Sequence, residues 1–175
     1  MPKAMDVANY FLATLGADPE SDLTNLKMQK LCAYAQALSL VLLGRPLFSE
    51  SLEAWTHGPV VPSVYAAFRE NGRKVLPGNG LSEKYAREAF DDQQKFILEL
   101  VRNEYGKYSA LELRRLSHED FPGIFGSKMA IPNADIACRF KNLPEIQRLL
   151  NYVPPKSEEE GRMLSEQEFW DAVSA

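Results

Sequence analysis

The chain has 175 residues, 45% of them hydrophobic and 25% charged, with a formal net charge of −4. This is enough apolar material for one buried core, which excludes a disordered chain, and no apolar run reaches the ~18 residues of a membrane span. The two cysteines, Cys32 and Cys138, are too few for a disulfide framework or a four-cysteine zinc site, and both read as small, reduced, buried side chains.

The charge is unevenly distributed. Residues 156–175 hold Lys156 and Arg162 against six acids, which accounts for the whole imbalance and leaves the preceding body neutral. A neutral body is a poor electrostatic match for nucleic acid. The first twenty residues lack a basic start followed by an apolar block, so the expectation is no signal peptide and a cytoplasmic location.

In chain order, Val7, Ala8, Phe11, Leu12 and Leu15 recur at helical spacing and stop at Gly16. Thr24 then has the form of an N-cap, with Leu23 and Met28 placed to staple across it. The helix it opens runs through NLKMQKLCAYAQALSLVLL to Gly44 and is nearly apolar after Gln36, which marks it as the central helix. Two short apolar pieces, Leu47–Phe48 and Leu52–Trp55, flank a polar Ser-Glu-Ser and suit a small hairpin or extended turn. Pro62 opens the next helix, because its fixed φ and missing N–H fit a first turn.

GRKVLPGNGLSEK, with three glycines and a proline, is the loosest part of the body. Phe96, Ile97, Leu100 and Val101 mark another amphipathic helix, ended by Gly106. Ser109 and Glu112 form a capping box, Pro122–Gly123 breaks that helix, Asn133 restarts one, and Pro144 opens a last short turn. Pro154–Pro155 and the following glutamates read as a linker. Beyond it, Ser165, Glu168, Phe169, Trp170 and Val173 describe a short amphipathic helix. The expected fold is mainly α: a compact multi-helix domain over 1–153 with a β-hairpin-like element near 46–56, then a linker and acidic amphipathic helix over 154–175.

Catalytic chemistry is thin. His57 and His118 are the only histidines, Cys32 sits inside the central helix, and no phosphate loop, dinucleotide fingerprint or zinc-protease motif is present. Adjacent His118, Glu119 and Asp120 seldom share one face. No cofactor or metal is expected, and an enzyme is the least supported class. A DNA-binding autorepressor, using the basic residues around the loose loop, is the alternative from another class.

The central helix carries a subtler pattern. Gln29 and Gln36 are seven residues apart and share a side, and polar groups this regular on a buried helix need partners. The expectation is that one or both hydrogen-bond the backbone of EAWTHGPVVPSVY (53–65), whose Gly58-Pro59 and Pro62 steps hold it to few conformations.

These residues resemble the Panacea antitoxin domain family, which includes SocA-like and phage-associated GepA-like proteins. The likeness runs through Thr24, Lys27, Gln29, Lys30, Leu31, Tyr34–Gln36, Gly44, Pro46–Phe48, Glu53–Trp55, Gly58–Pro62 and Tyr65, and returns in YGKYSALELRRLSHED. Three departures stand out. Ala33 replaces the first of an aromatic pair, Ala37–Leu38 replaces a Gly-Trp, and Gly123 follows Pro122 where a Trp is usual; these are expected to alter surfaces built from those aromatics.

The resemblance implies a mainly helical domain with a small β element that neutralises a protein toxin, usually encoded beside it, by direct binding. It also allows an adaptor that delivers the toxin to an ATP-driven protease. No membrane partner is implied. The expected toxin contacts are Trp55, His57 and Tyr65, with Lys27 and Lys30 meeting an acidic rim, while Gln29, Gln36, Gly58, Pro59 and Pro62 are structural.

Overall fold

A computed structural model describes residues 1–150. The expected linker and acidic helix over 154–175 lie outside the described residues. The fold is mainly helical with a three-stranded antiparallel sheet, and among the described residues no helix is long and apolar enough to cross a membrane.

Helix α1 (Ala4–Leu15) buries Val7, Ala8, Phe11 and Leu12 and ends at Gly16. Thr24 caps α2 (Asn25–Leu38), its hydroxyl accepting from the Lys27 amide, with Leu23 and Met28 buried across the cap. Every residue of α2 from Lys27 to Leu38 is buried. Such a helix has neighbours on all sides, and α1, α3, α5, α6, α7 and the sheet all pack on it. It continues as a π-helical turn, Ser39–Leu43, closed by Gly44 at φ +68°.

The sheet follows. Strand β1 (Leu52–Trp55) pairs with β2 (Gly58–Val60) in a hairpin that sets Glu53 opposite Val60 and Trp55 opposite Gly58. On its other side β1 pairs with β3 (Ala130–Ile131). Pro59 is tolerated because β2 is an edge strand. Leu52–Trp55 is thus a strand as expected, but its partner is Gly58–Val60, and Leu47–Phe48 forms no strand.

The reason lies in Gln36. Its Oε1 accepts from the amides of Leu47 and Phe48, at 2.9 and 3.2 Å, and its Nε2 donates to Phe48 O at 3.1 Å. One carboxamide satisfies backbone groups that a strand would otherwise pair, and both side chains stay in the core.

Helix α3 (Pro62–Phe68) begins at its proline, and α4 (Glu83–Arg87) is a single turn after the glycine-rich loop. Helix α5 (Asp92–Tyr105) meets Gly106 at its C-cap, and α6 (Ala110–Asp120) carries the Ser109–Glu112 capping box with both bonds formed. Helices α7 (Asn133–Lys141) and α8 (Pro144–Leu149) close the described chain. Cys32 is buried as expected, whereas Cys138 is exposed on the outer side of α7.

Replacing Gln36 by Leu keeps the volume and deletes all three bonds. At about 1–3 kcal/mol for each buried group left unpaired, the expected loss is about 3 kcal/mol or more of unfolding free energy, read from denaturant titration.

Candidate functional site at the hairpin

Three elements fix the hairpin. Beneath it, Gln29 Oε1 accepts from the Val61 amide at 3.0 Å, which bears out the expected glutamine-to-backbone bond. The Gln29 Nε2 donates to Asn25 Oδ1, and Asn25 Nδ2 donates to Tyr65 O. Two carboxamides one turn apart on α2 therefore grip both ends of the first turn of α3. Asn25 was not singled out from the sequence, although its four-residue spacing from Gln29 was the available signal.

Lys30 completes the grip by donating from Nζ to Pro59 O at 2.9 Å. Gly58 sits directly against it. The glycine has φ +104°, and a Cβ there would stand 2.8 Å from Ser117 Oγ and 3.1 Å from Lys30 Nζ. Position 58 therefore demands glycine both by conformation and by space.

The lysines require a correction. Lys27 and Lys30 are 2% and 0% exposed, so neither reaches a surface rim. Lys27 Nζ donates to Ser21 O and, at 2.7 Å, to Gly106 O, tying the entry of α2 to the end of α5. Burial lowers the pKa of Lys27. For Lys30, burial followed by the like charge of Arg114 pulls it from 10.5 down to about 7.

The outer side of the hairpin carries the other expected residues. Trp55 is half-buried, its Nε1 donating to Glu53 Oε2 at 2.8 Å and its ring meeting Tyr65 edge-on at 4.9 Å. The Lys128 ammonium stands 4.9 Å from the Trp55 ring centre, within cation–π range. Tyr65 is 37% exposed, and His57 projects from the turn. Burial, then Arg114, Lys30, His118 and Arg73, hold the His57 imidazole below its usual pKa. Trp55, Tyr65 and Lys128 thus form one contacting group, His57 stands exposed at the turn, and Lys27 and Lys30 are buried.

The loop between α6 and β3 completes the face and was not anticipated. Gly126 and Lys128 both donate their amides to Ala54 O, and the Ala54 amide donates to Met129 O. This holds the loop on β1 and leaves Ile124 and Met129 78% and 68% exposed. The signal was the string PGIFGSKM, where large apolar residues alternate with helix-breaking glycines and so cannot all turn inward.

His118 links α6 to the turn, with Nδ1 2.7 Å from Arg114 O and Nε2 3.0 Å from Thr56 O. Both partners are carbonyls, so a neutral ring donates to one only, and the doubly protonated ring donates to both. The neighbouring acids point elsewhere: Glu119 pairs with Arg115, and Asp120 accepts from the Tyr34 hydroxyl at 2.7 Å. Among the described residues no three His, Cys, Asp or Glu side chains gather in a metal-binding group.

Taken together, the molecule is a helical domain clasping a short sheet from beneath through polar side chains of its central helix. The chain belongs to the family described as antitoxin SocA-like, Panacea domain, which matches residues 28–122. Antitoxin SocA of Caulobacter vibrioides (strain NA1000 / CB15N) is 41% identical over 78 residues, 43% of this chain. The matched stretch spans 41% of that relative's length. No solved structure matches.

The Lys30 environment yields a pH signature. Between its folded value of about 7 and the ordinary 10.5, the unfolded chain holds a proton that the folded chain lacks. The contribution of this residue to stability is therefore lowest below that window and rises with pH through it. Lys30→Met should remove this rise, so the unfolding free energy of the variant should lose ground to the parent as pH goes from about 6.5 to about 9. Parallel denaturant titrations at the two pH values check this; identical pH dependence in both proteins would refute the assignment.

Proposed function

We propose that this chain is an antitoxin that neutralises a cognate protein toxin, encoded by the adjacent gene, by binding it directly. Family membership carries this reading: the matched residues contain the whole hairpin together with Gln29 and Lys30. The name of the Caulobacter relative supports the same role. The domain over 1–153 supplies the binding body, with 154–175 appended to it. This chain contributes no chemistry; it occludes or locks the toxin's active surface.

The contact face is the outer side of the hairpin, centred on Trp55, His57 and Tyr65 and extended by Lys128 and Met129. A backbone fixed from below offers these side chains in one arrangement before the partner arrives, which reduces the entropic cost of docking. Aromatic anchors beside exposed apolar side chains have the composition of an interface centre.

Co-expression with the product of the neighbouring reading frame tests the reading. That product should be toxic alone, and it should co-purify with this chain and lose its toxicity. Tyr65→Ala should weaken the complex by about 2 kcal/mol, roughly thirtyfold in Kd, with the melting temperature within a few degrees of the parent. Folded Tyr65→Ala and His57→Ala proteins that bind as tightly as the parent would move the interface elsewhere. Toxin that disappears in an ATP-dependent manner, instead of accumulating as a complex, would favour the adaptor role.

A further inference from the structure

Cationic groups gather around the hairpin turn although the body as a whole is neutral. His57 lies in the field of Arg114, His118, Arg73 and, beneath them, Lys30, and Lys128 stands over Trp55 nearby. The adjacent carboxylates are already engaged: Glu53 by Trp55 Nε1, Glu119 by Arg115 and Asp120 by the Tyr34 hydroxyl. Arg114 keeps a buried Nε with no hydrogen-bond partner among the described residues. Met129, whose carbonyl accepts from the Ala54 amide, is exposed, as is Ile124 in the same loop. A complementary ligand carries several carboxylates interleaved with large apolar side chains.

The chain contains such a segment. Residues 156–175 bring Glu158, Glu159, Glu160, Glu166, Glu168 and Asp171, with Leu164, Phe169 and Trp170 among them, and hold the entire net charge of the protein. Glu145, in the first turn of α8, acts electrostatically on Asp120 in the last turn of α6 and on Tyr105 in the last turn of α5. That same end of α6 carries His118, bonded to the hairpin turn. The five residues 151–155 span up to roughly 17 Å when extended, at about 3.3 Å each. Tethering at this range gives a local concentration on the order of millimolar, so a weak contact suffices to populate the closed arrangement.

From this charge match and placement we infer that residues 156–175 are an intramolecular ligand of the hairpin face, their carboxylates meeting Arg73, Arg114 and Lys128 and their Phe169 and Trp170 covering Ile124 and Met129. The inference stands without the antitoxin reading. Where that reading holds, segment and toxin compete for one surface, and the segment sets the toxin concentration at which the complex forms.

Hydrogen exchange on the full-length protein tests the inference without any toxin. Glu158, Glu159, Glu160, Glu166 and Glu168 are changed to Gln and Asp171 to Asn, which preserves length and apolar content. The amides of Ala54, Gly126 and Lys128, each hydrogen-bonded across the face, should then exchange about tenfold faster, with the interior of α5 unchanged. Lys128→Glu in the parent chain should have the same effect. Combining Lys128→Glu with Glu158→Lys, Glu159→Lys and Glu160→Lys should restore the slow rate. Unchanged exchange in the neutralised variant would overturn the inference. So would protection that rises with protein concentration, because the occupant would then be a second copy of the chain. Neither result depends on whether a toxin co-purifies.

Discussion

The fold rests on polar side chains that a central helix carries into the interior. Lys27, Gln29, Lys30 and Gln36 of α2 are all buried, and each is bonded to backbone outside α2. The groups they reach are those that regular structure leaves over: the carbonyl before α2, the end of α5, the edge of β2, the entry to α3 and the Leu47–Phe48 segment. A backbone group buried without a partner costs about as much as a lost hydrogen bond, so these irregular segments can lie inside only because α2 supplies their partners.

This arrangement explains why the sheet is so small and yet so well placed. A hairpin of four and three residues has little stability alone. Here Lys30, Gln29 and His118 hold it at Pro59, Val61 and Thr56, and the loop before β3 adds bonds to Ala54. The use of an amine below Pro59 has an electrostatic side. The Lys30 ammonium is buried, Arg114 adds like charge, and together they hold it down to about 7. At neutral pH this amine is therefore only partly charged, and it is Arg114, Arg73 and Lys128 around the turn that favour anionic groups over cationic ones there.

Much of this was legible in the sequence, for reasons that can be named. The caps at Thr24 and Ser109, the proline at the start of α3 and the glycines closing α1 and α5 are local signals, and local physics decides them. The partner of Gln29 was legible too, because a buried amide beside a proline-rich segment has few other acceptors and donors to meet. What failed was non-local. Lysines read as surface charge by default, and only the carbonyls of Ser21, Gly106 and Pro59, brought together by folding, make room for two of them inside. Leu47–Phe48 has the composition of a strand but loses its hydrogen bonds to Gln36. The loop carrying Ile124 and Met129 belongs to the face only because Ala54 holds it there.

The three departures from the family pattern can now be placed, and they fall in different layers. Ala33, Ala37 and Leu38 are fully buried, so the changes at those positions repack the interior around α2 and leave the outer surface alone. Gly123 is different. It is exposed, adopts φ +126°, and a Cβ there would touch Ala54 and Ile131 of the sheet. A large aromatic side chain in its place would be aimed at buried Ala54 and Ile131 and would require a different backbone path for this loop. The loop from Phe121 to Met129 is therefore where this chain differs from the family pattern at the surface, while the hairpin, pinned from beneath by α2, keeps the family's sequence.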